Sequence, residues 1–222
     1  MHYAVENGYN IPDSLDHISI KKTDREMRVL SIEEQSILTS YLCDGTDLYK
    51  LGVLISLYTG IRVGELCALR WENIDLKRNL IQIRQTLQRI QIDGENAKTR
   101  IISTEPKSRC SIRDIPIPAC LLPFIRRFAS SPQAYLLTGV QNVPAEPRTM
   151  QYHFAEYIKI IGISHANYHS LRHTFATRCV EAGFEIKSLS EILGHSSVNI
   201  TLNKYVHSSL DLKVANMNKL TF

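Results

Sequence analysis

The hydrophobic spacing along this chain changes period twice, and that change constrains the fold more than any other feature. From Ser31 to Leu69 apolar residues recur at the three- and four-residue intervals of helices. Ser31 and Glu34 stand at capping-box spacing, and Ile32, Ile37, Leu38, Tyr41 and Leu42 follow at helical intervals. A Leu- and Tyr-rich helix is predicted over about 47–59, ended by a left-handed turn at Gly60, with a short third helix over Val63 to Leu69 and Arg62 at its entrance. From Leu80 to Leu87 the period becomes two, Ile81 and Ile83 alternating with Gln82 and Arg84 as in a half-buried strand. Asp93-Gly94 is a hairpin turn signal, and Arg100 to Thr104 and Ser111 to Ile117 read as two further strands joined by the turn Glu105 to Cys110. From Pro118 the helical period returns, over roughly 118–129, 148–161, 170–182, 186–193 and 198–206. The expected class is mainly α with one small three-stranded antiparallel β-sheet inserted.

The first thirty residues are polar, contain Pro12 and show no sustained period; they read as a linker, with order beginning at Ser31. A chain of 222 residues, 44% hydrophobic and 22% charged, suits a soluble domain with a sizeable core. No apolar run approaches the ~20 residues that span a bilayer, and Met1 to Asn10 lacks the apolar stretch of a secretory signal, so a cytoplasmic protein away from the membrane is expected. The five cysteines (Cys43, Cys67, Cys110, Cys120, Cys179) are scattered and form no C-x-x-C pair, which predicts reduced, mostly buried thiols rather than disulfides or a zinc ribbon. The net charge of +4 hides an asymmetry: residues 1–50 hold five Lys/Arg against nine Asp/Glu, a balance of −4, leaving +8 for the rest. Within 100–127, Arg100, Lys107, Arg109, Arg113, Arg126 and Arg127 face only Glu105 and Asp114. Such a patch suits a polyanion such as nucleic acid, and equally an ordinary solvated face.

Four clusters carry chemistry. Thr59-Gly60-Ile61-Arg62-Val63-Gly64-Glu65-Leu66 sets an arginine at a helix start with a carboxylate three residues later on the same face; alone it is compatible with a simple surface ion pair. Pro106-Lys107-Ser108-Arg109 puts a lysine in a turn between strands, where it either meets a ligand or merely faces solvent. Tyr168-His169-Ser170-Leu171-Arg172-His173-Thr174 places His169 and Arg172 side by side at a helix start, an end favourable for an anion. A guanidinium binds phosphate through paired donors, and a neighbouring imidazole can move a proton near neutral pH. Finally, Leu193-Gly194-His195 is followed ten residues after the histidine by Tyr205-Val206-His207. A lone tyrosine near such a helix is usually a packing residue.

Taken together these clusters resemble, in kind, order and spacing, the signature of the tyrosine recombinase (phage integrase) family over roughly residues 30–207. That family has an arginine in a G-x-R-x-G-E setting, a hairpin lysine, an H-x-L-R-H-T helix, an L-G-H turn and a Y-x-H nucleophile around one phosphodiester, and all five stand here without substitution. The resemblance implies the tyrosine recombinase catalytic-domain fold, with Arg62, Lys107, His169, Arg172, His195 and Tyr205 as active-site residues and Glu65 as a supporting carboxylate. It assigns His173, His207 and Arg113 to structural roles. It further implies strand cleavage through a 3′-phosphotyrosine at Tyr205, with Arg62 and Arg172 clamping the phosphate, His195 donating a hydrogen bond, His169 assisting proton transfer from Tyr205 and Lys107 protonating the 5′-oxygen. No cofactor or metal is implied. The expected partners are double-stranded DNA, further copies of the chain in a homo-tetramer on that DNA, and an accessory or excision factor.

Residues 1–30 are then the lead-in from a core-binding region that the family normally carries, 31–207 the catalytic domain, and 208–222 a C-terminal tail whose Leu210, Leu212, Val214, Met217 and Leu220 need a partner surface. Three other readings stand beside this one: a zinc site of His165, His169 and His173 at intervals of four; a non-catalytic helix-turn-helix regulator over Ala182 to Tyr205; and a type IB topoisomerase, which shares the chemistry and differs in outcome.

Overall fold

The computed structural model describes residues 27–91, 99–104, 109–206 and positions 214, 217 and 218. The lead-in before Met27, the Asp93-Gly94 turn, Lys107, and most of the tail from His207 lie outside the described residues.

Helix α1 (Ile32–Cys43) opens with the capping box, Ser31 Oγ accepting from the Glu34 amide at 3.1 Å and Glu34 Oε2 accepting from the Ser31 amide at 2.8 Å. Packing begins one residue earlier than the periodicity predicts, because Leu30 is fully buried, its amide donating to Thr174 Oγ1 and its carbonyl accepting from Arg178. Helix α2 (Leu48–Thr59) starts at Asp47, whose side chain accepts from the Lys50 amide, and is buried nearly all round. It is the central helix, packing against α1, α5 (Pro147–Ile160) and α6 (His169–Glu181). Gly60 ends it at φ 65°, in the left-handed region where a side chain costs energy. Helix α3 (Val63–Ala68) follows at once, with Arg62 as its N-cap residue.

The sheet region differs from the sequence-based expectation. Strands β1 (Ile74–Asp75), β2 (Leu80–Ile83) and β5 (Arg113–Pro116) form one antiparallel sheet, and β3 (Thr86–Gln91) and β4 (Thr99–Thr104) form a separate two-stranded ribbon. The alternating run Leu80 to Leu87 is thus two strands. The break falls at Arg84, whose guanidinium donates to the carbonyls of Ile83 and Arg113 (both 3.0 Å) and to Asp114 Oδ1 (2.5 Å), so a side chain takes over where the ladder stops. Within β2 the alternation holds, Ile81 and Ile83 being fully buried opposite Ile115 and Arg113.

A 3-10 turn, Ala119–Leu121, leads into α4 (Leu122–Arg127). Helices α5, α6, α7 (Ile186–Leu193) and α8 (Val198–Tyr205) complete the fold. A large core gathers around Leu54, Leu66, Ile81 and Phe154, and a smaller one joins α6, α7 and α8 through Ala176, Cys179, Leu189, Leu193 and Tyr205. The cysteines are free thiols, but only Cys67 and Cys179 are buried; Cys110 and Cys120 sit on 3-10 turns facing solvent, which corrects the expectation of mostly buried thiols. Among the described residues no helix is long and apolar enough to cross a membrane.

One backbone contact sets the position of α3. A Cβ built on Gly64 would lie 2.7 Å from both the Leu87 carbonyl oxygen and Thr86 Oγ1, so the helix meets β3 too closely for any side chain at position 64. Gly64→Ala is therefore expected to lower unfolding free energy by about 1–3 kcal/mol, the range of overpacked sites. Urea unfolding measures it, and a change below about 0.5 kcal/mol, the scale of a neutral surface substitution, would show that α3 and β3 separate freely.

Candidate active site

The base of the site is a buried carboxylate shared by two arginines. Glu65 sits at the third position of α3 with its side chain 3% exposed. Arg113, projecting from β5, grips it with two bonds, Nη1 to Oε1 at 3.0 Å and Nη2 to Oε2 at 2.9 Å. Arg62 donates its amide to Oε2 at 3.0 Å and its Nη1 to Oε1 at 2.8 Å. Burial alone would push the Glu65 carboxyl up, but Arg113 and then Arg62 hold it below the usual carboxylate range. One negative charge thus faces two positive ones. Arg113 spends the rest of its donors on the carbonyls of Ile192 (2.6 Å) and Ser111 (3.0 Å), whereas Arg62 bonds the Gly194 carbonyl at 3.1 Å and stays half-exposed.

Arg172 lies deeper, 3% exposed on α6. Its Nη1 donates to the Gly60 carbonyl and its Nη2 to the Leu193 carbonyl, both at 2.7 Å. These are the C-terminal ends of α2 and α7, whose partial negative charge compensates for burying the cation. Burial, then Arg62, pushes the guanidinium down to about 9, and it remains charged at neutral pH. Nη2 also reaches His195 Nε2 at 3.0 Å. A guanidinium only donates, so Nε2 accepts, and the Nδ1 hydrogen of His195 is left to donate to Thr201 Oγ1 at 2.8 Å. Burial followed by Arg172 and Arg62 lowers His195 to about 3.

Tyr205 ends α8 with 6% exposure, its ring parallel to that of His195. Its hydroxyl lies 2.9 Å from His173 Nδ1. Burial raises its pKa, and Arg172 and Arg62 work against that rise. The structure therefore links Arg172 to His195 by a hydrogen bond and His195 to Tyr205 by ring stacking, with Arg62 beside them on the Gly194 carbonyl; Arg62, Arg172 and the exposed His169 line a cleft, and Lys107 lies outside the described residues. The cleft measures about 460 Å³ and is lined by Arg62, Phe154, His165, Tyr168, His169 and Arg172 among others. Sequence reasoning passed over His173 as a tyrosine partner. Its signal was present: position 173 lies one helical turn below His169, and the two rings meet edge-on with centroids 4.4 Å apart. His165, by contrast, precedes the first turn of α6, so the three histidines do not share one helix face.

Two predictions follow from these charges. Glu65→Gln leaves two guanidinium groups facing a neutral amide and is expected to cost about 3–5 kcal/mol, as for a broken buried pair. Because Arg113 is then already unpaired, the double change Glu65→Gln/Arg113→Gln should cost less than the sum of the single ones, and simple additivity in urea melts would contradict the pairing. The histidines set a pH window. His173 is lowered to about 4 and His195 to about 3, in each case by burial first and then by neighbouring charge, from an ordinary 6.5. Below 6.5 the unfolded chain binds protons that the folded one refuses, so stability should fall steadily as the pH drops from 6.5 toward 4. Denaturant midpoints across that interval test this, and a flat profile would refute it.

The family model for the phage integrase family matches residues 28–211. Among curated relatives, a tyrosine recombinase XerC-like protein of Caldanaerobacter subterraneus is 28% identical over 92% of this chain and 58% of its own length. Tyrosine recombinase XerA of Thermococcus kodakarensis is 29% identical over 86% of this chain and 62% of its own. The chain thus spans about three fifths of these relatives. Among solved structures, the Tn1549 transposon integrase in complex with circular intermediate DNA superposes with a TM-score of 0.72 at 25% identity, covering 99% of this chain and 76% of that one. The XerA recombinase crystal structure shares the fold at a TM-score of 0.63 and 23% identity, covering 99% and 73%. With a family match across most of its length and a fold held in common with these enzymes, the chain belongs to the phage integrase family of tyrosine recombinases.

Proposed function

We propose that this chain is the catalytic portion of a site-specific DNA recombinase or integrase that breaks and rejoins duplex DNA through a 3′-phosphotyrosine at Tyr205, serving integration and excision of a mobile element. The observation that carries the reading is the convergence of Arg62, Arg172, His195 and the buried Tyr205, brought together from α3, α6, the turn after α7 and the end of α8, beside a cleft that both arginines line. Cleaving a phosphodiester requires neutralised non-bridging oxygens, an activated nucleophile and a protonated leaving group. Arg62 and Arg172 supply the first. Tyr205 supplies the nucleophile, its pKa raised by burial with the same arginines restraining the rise, and His169 assists its proton transfer from the cleft mouth. His195 binds the phosphate through Nε2 once Arg172 has turned its donor to the substrate and Nε2 has taken a proton. Lys107 protonates the departing 5′-oxygen. The phosphotyrosine stores the bond energy, so a 5′-hydroxyl of another strand can reverse the reaction without ATP or metal.

The substrate is double-stranded DNA, in keeping with the +8 balance over residues 51–222 and with the DNA-bound Tn1549 integrase. Residues 31–207 form the catalytic domain, 1–30 the lead-in from a DNA-clamping region, and 208–222 a tail that passes to a neighbouring copy in a DNA-bound tetramer, with an accessory factor setting direction. The work is done in the cytoplasm.

A pool of randomised duplexes carrying a nick that lets the cleaved end diffuse away tests the activity. Wild-type chain should leave a covalent adduct on denaturing gels, and Tyr205→Phe should bind the same DNA nearly as well while leaving none. An adduct on the phenylalanine variant would end the assignment. A 5′-bridging phosphorothiolate, whose sulfur departs without a proton, separates the other roles. It should restore cleavage by Lys107→Ala and not by Arg172→Ala; equal rescue of both, or of neither, would contradict them.

A further inference from the structure

The atom that must lose a proton in this chemistry is Tyr205 Oη, and the structure gives it a specific hydrogen-bond partner. His173 Nδ1 lies 2.9 Å from it, on a ring that is 7% exposed beneath the small core of α6, α7 and α8. The direction of the bond is set by the His173 tautomer: with the ring hydrogen on Nε2, Nδ1 accepts and the phenolic hydrogen points to it. His169 lies elsewhere: it is exposed, makes no hydrogen bond among the described residues, and touches His173 edge-on. Resting on the recombinase reading above, we propose that His173 is a catalytic residue, the direct proton acceptor for Tyr205, with His169 acting on it from the cleft mouth.

As the Tyr205 Oη–P bond forms, the phenolic proton passes to His173 Nδ1, the P–O5′ bond breaks, and the 5′-oxygen takes a proton from Lys107. In rejoining, the incoming 5′-hydroxyl displaces Oη, which recovers its proton from His173. The groups facing the imidazole are His169 and Arg172 on α6, and Lys204 and Tyr205 on α8. Burial and then His169, Lys204 and Arg172 hold it neutral at rest, with its lone pair free, and the anionic phosphate entering the cleft offsets those cations as the proton arrives.

The test uses the full chain and whichever nicked duplex the wild-type adduct recovers from the randomised pool. Failure to recover any adduct counts against the recombinase reading itself; the variants below address only His173. His173→Asn keeps an acceptor oxygen near the place of Nδ1 but cannot take a proton. It should bind the duplex within about twofold of wild type, form adduct about 100-fold or more slowly, the usual weight of a general base, and lose the decline of wild-type rate at acid pH. His169→Asn should keep that decline. Wild-type rate and profile in His173→Asn, or loss of the acid limb in His169→Asn alone, would overturn the proposal. Should the asparagine variant melt early, nitrogen NMR of the wild-type His173 ring decides: an Nε2–H tautomer with Nδ1 as acceptor is expected, and an Nδ1–H tautomer excludes the role.

Discussion

The site depends on the Glu65 carboxylate and the two guanidinium groups that share it. A carboxylate this deeply buried is costly unless paired and fully hydrogen-bonded, and here four donors from Arg62 and Arg113 meet it. The arrangement does more than neutralise charge. Arg113 comes from β5 and also holds the last turn of α7 through the Ile192 carbonyl, while Arg62 opens α3 and reaches the Gly194 carbonyl. A single anion therefore ties sheet, helix and the turn bearing His195 into one unit. With Arg113 buried in its paired grip on Glu65, the surplus positive charge is left on Arg62, the partner that faces the cleft.

Arg172 repeats the theme by other means. Among the described residues no carboxylate bonds it; two helix ends and an imidazole do. Acceptors of partial charge hold the guanidinium in place without cancelling its field, so it remains attractive to an anion. Its grip on His195 also fixes which ring nitrogen of that histidine carries the hydrogen.

Much of this was legible in the residues because the deciding interactions are local. The Ser31–Glu34 box, the Asp47 cap and the Gly60 stop each involve residues within a few positions, and the helices they bound stand where periodicity puts them. The strands were legible as strands but not in their grouping, since the split at Arg84 depends on carbonyls and a carboxylate about thirty residues away. Leu30 escaped for the same reason: its partners are Thr174 and Arg178. The candidate site residues were recognisable by motif, whereas the contact between His173 and Tyr205 arises only when α8 packs onto α6. Spacing along a chain reports which face a side chain takes, not which distant element will cover it.

The bare contact between Gly64 and β3 bears on positional accuracy. Side-chain interfaces have slack, because rotamers can hop and neighbours can refill the gap. Two backbones in direct touch have none of that freedom, and the Leu87 carbonyl stands against the helix like a datum surface. Arg62, two residues before Gly64, thus has its backbone tied to that contact, while Glu65 and the Gly194 carbonyl aim its guanidinium. The accuracy with which the guanidinium meets a target oxygen rests on a backbone with little room to slide and on acceptors that hold one rotamer.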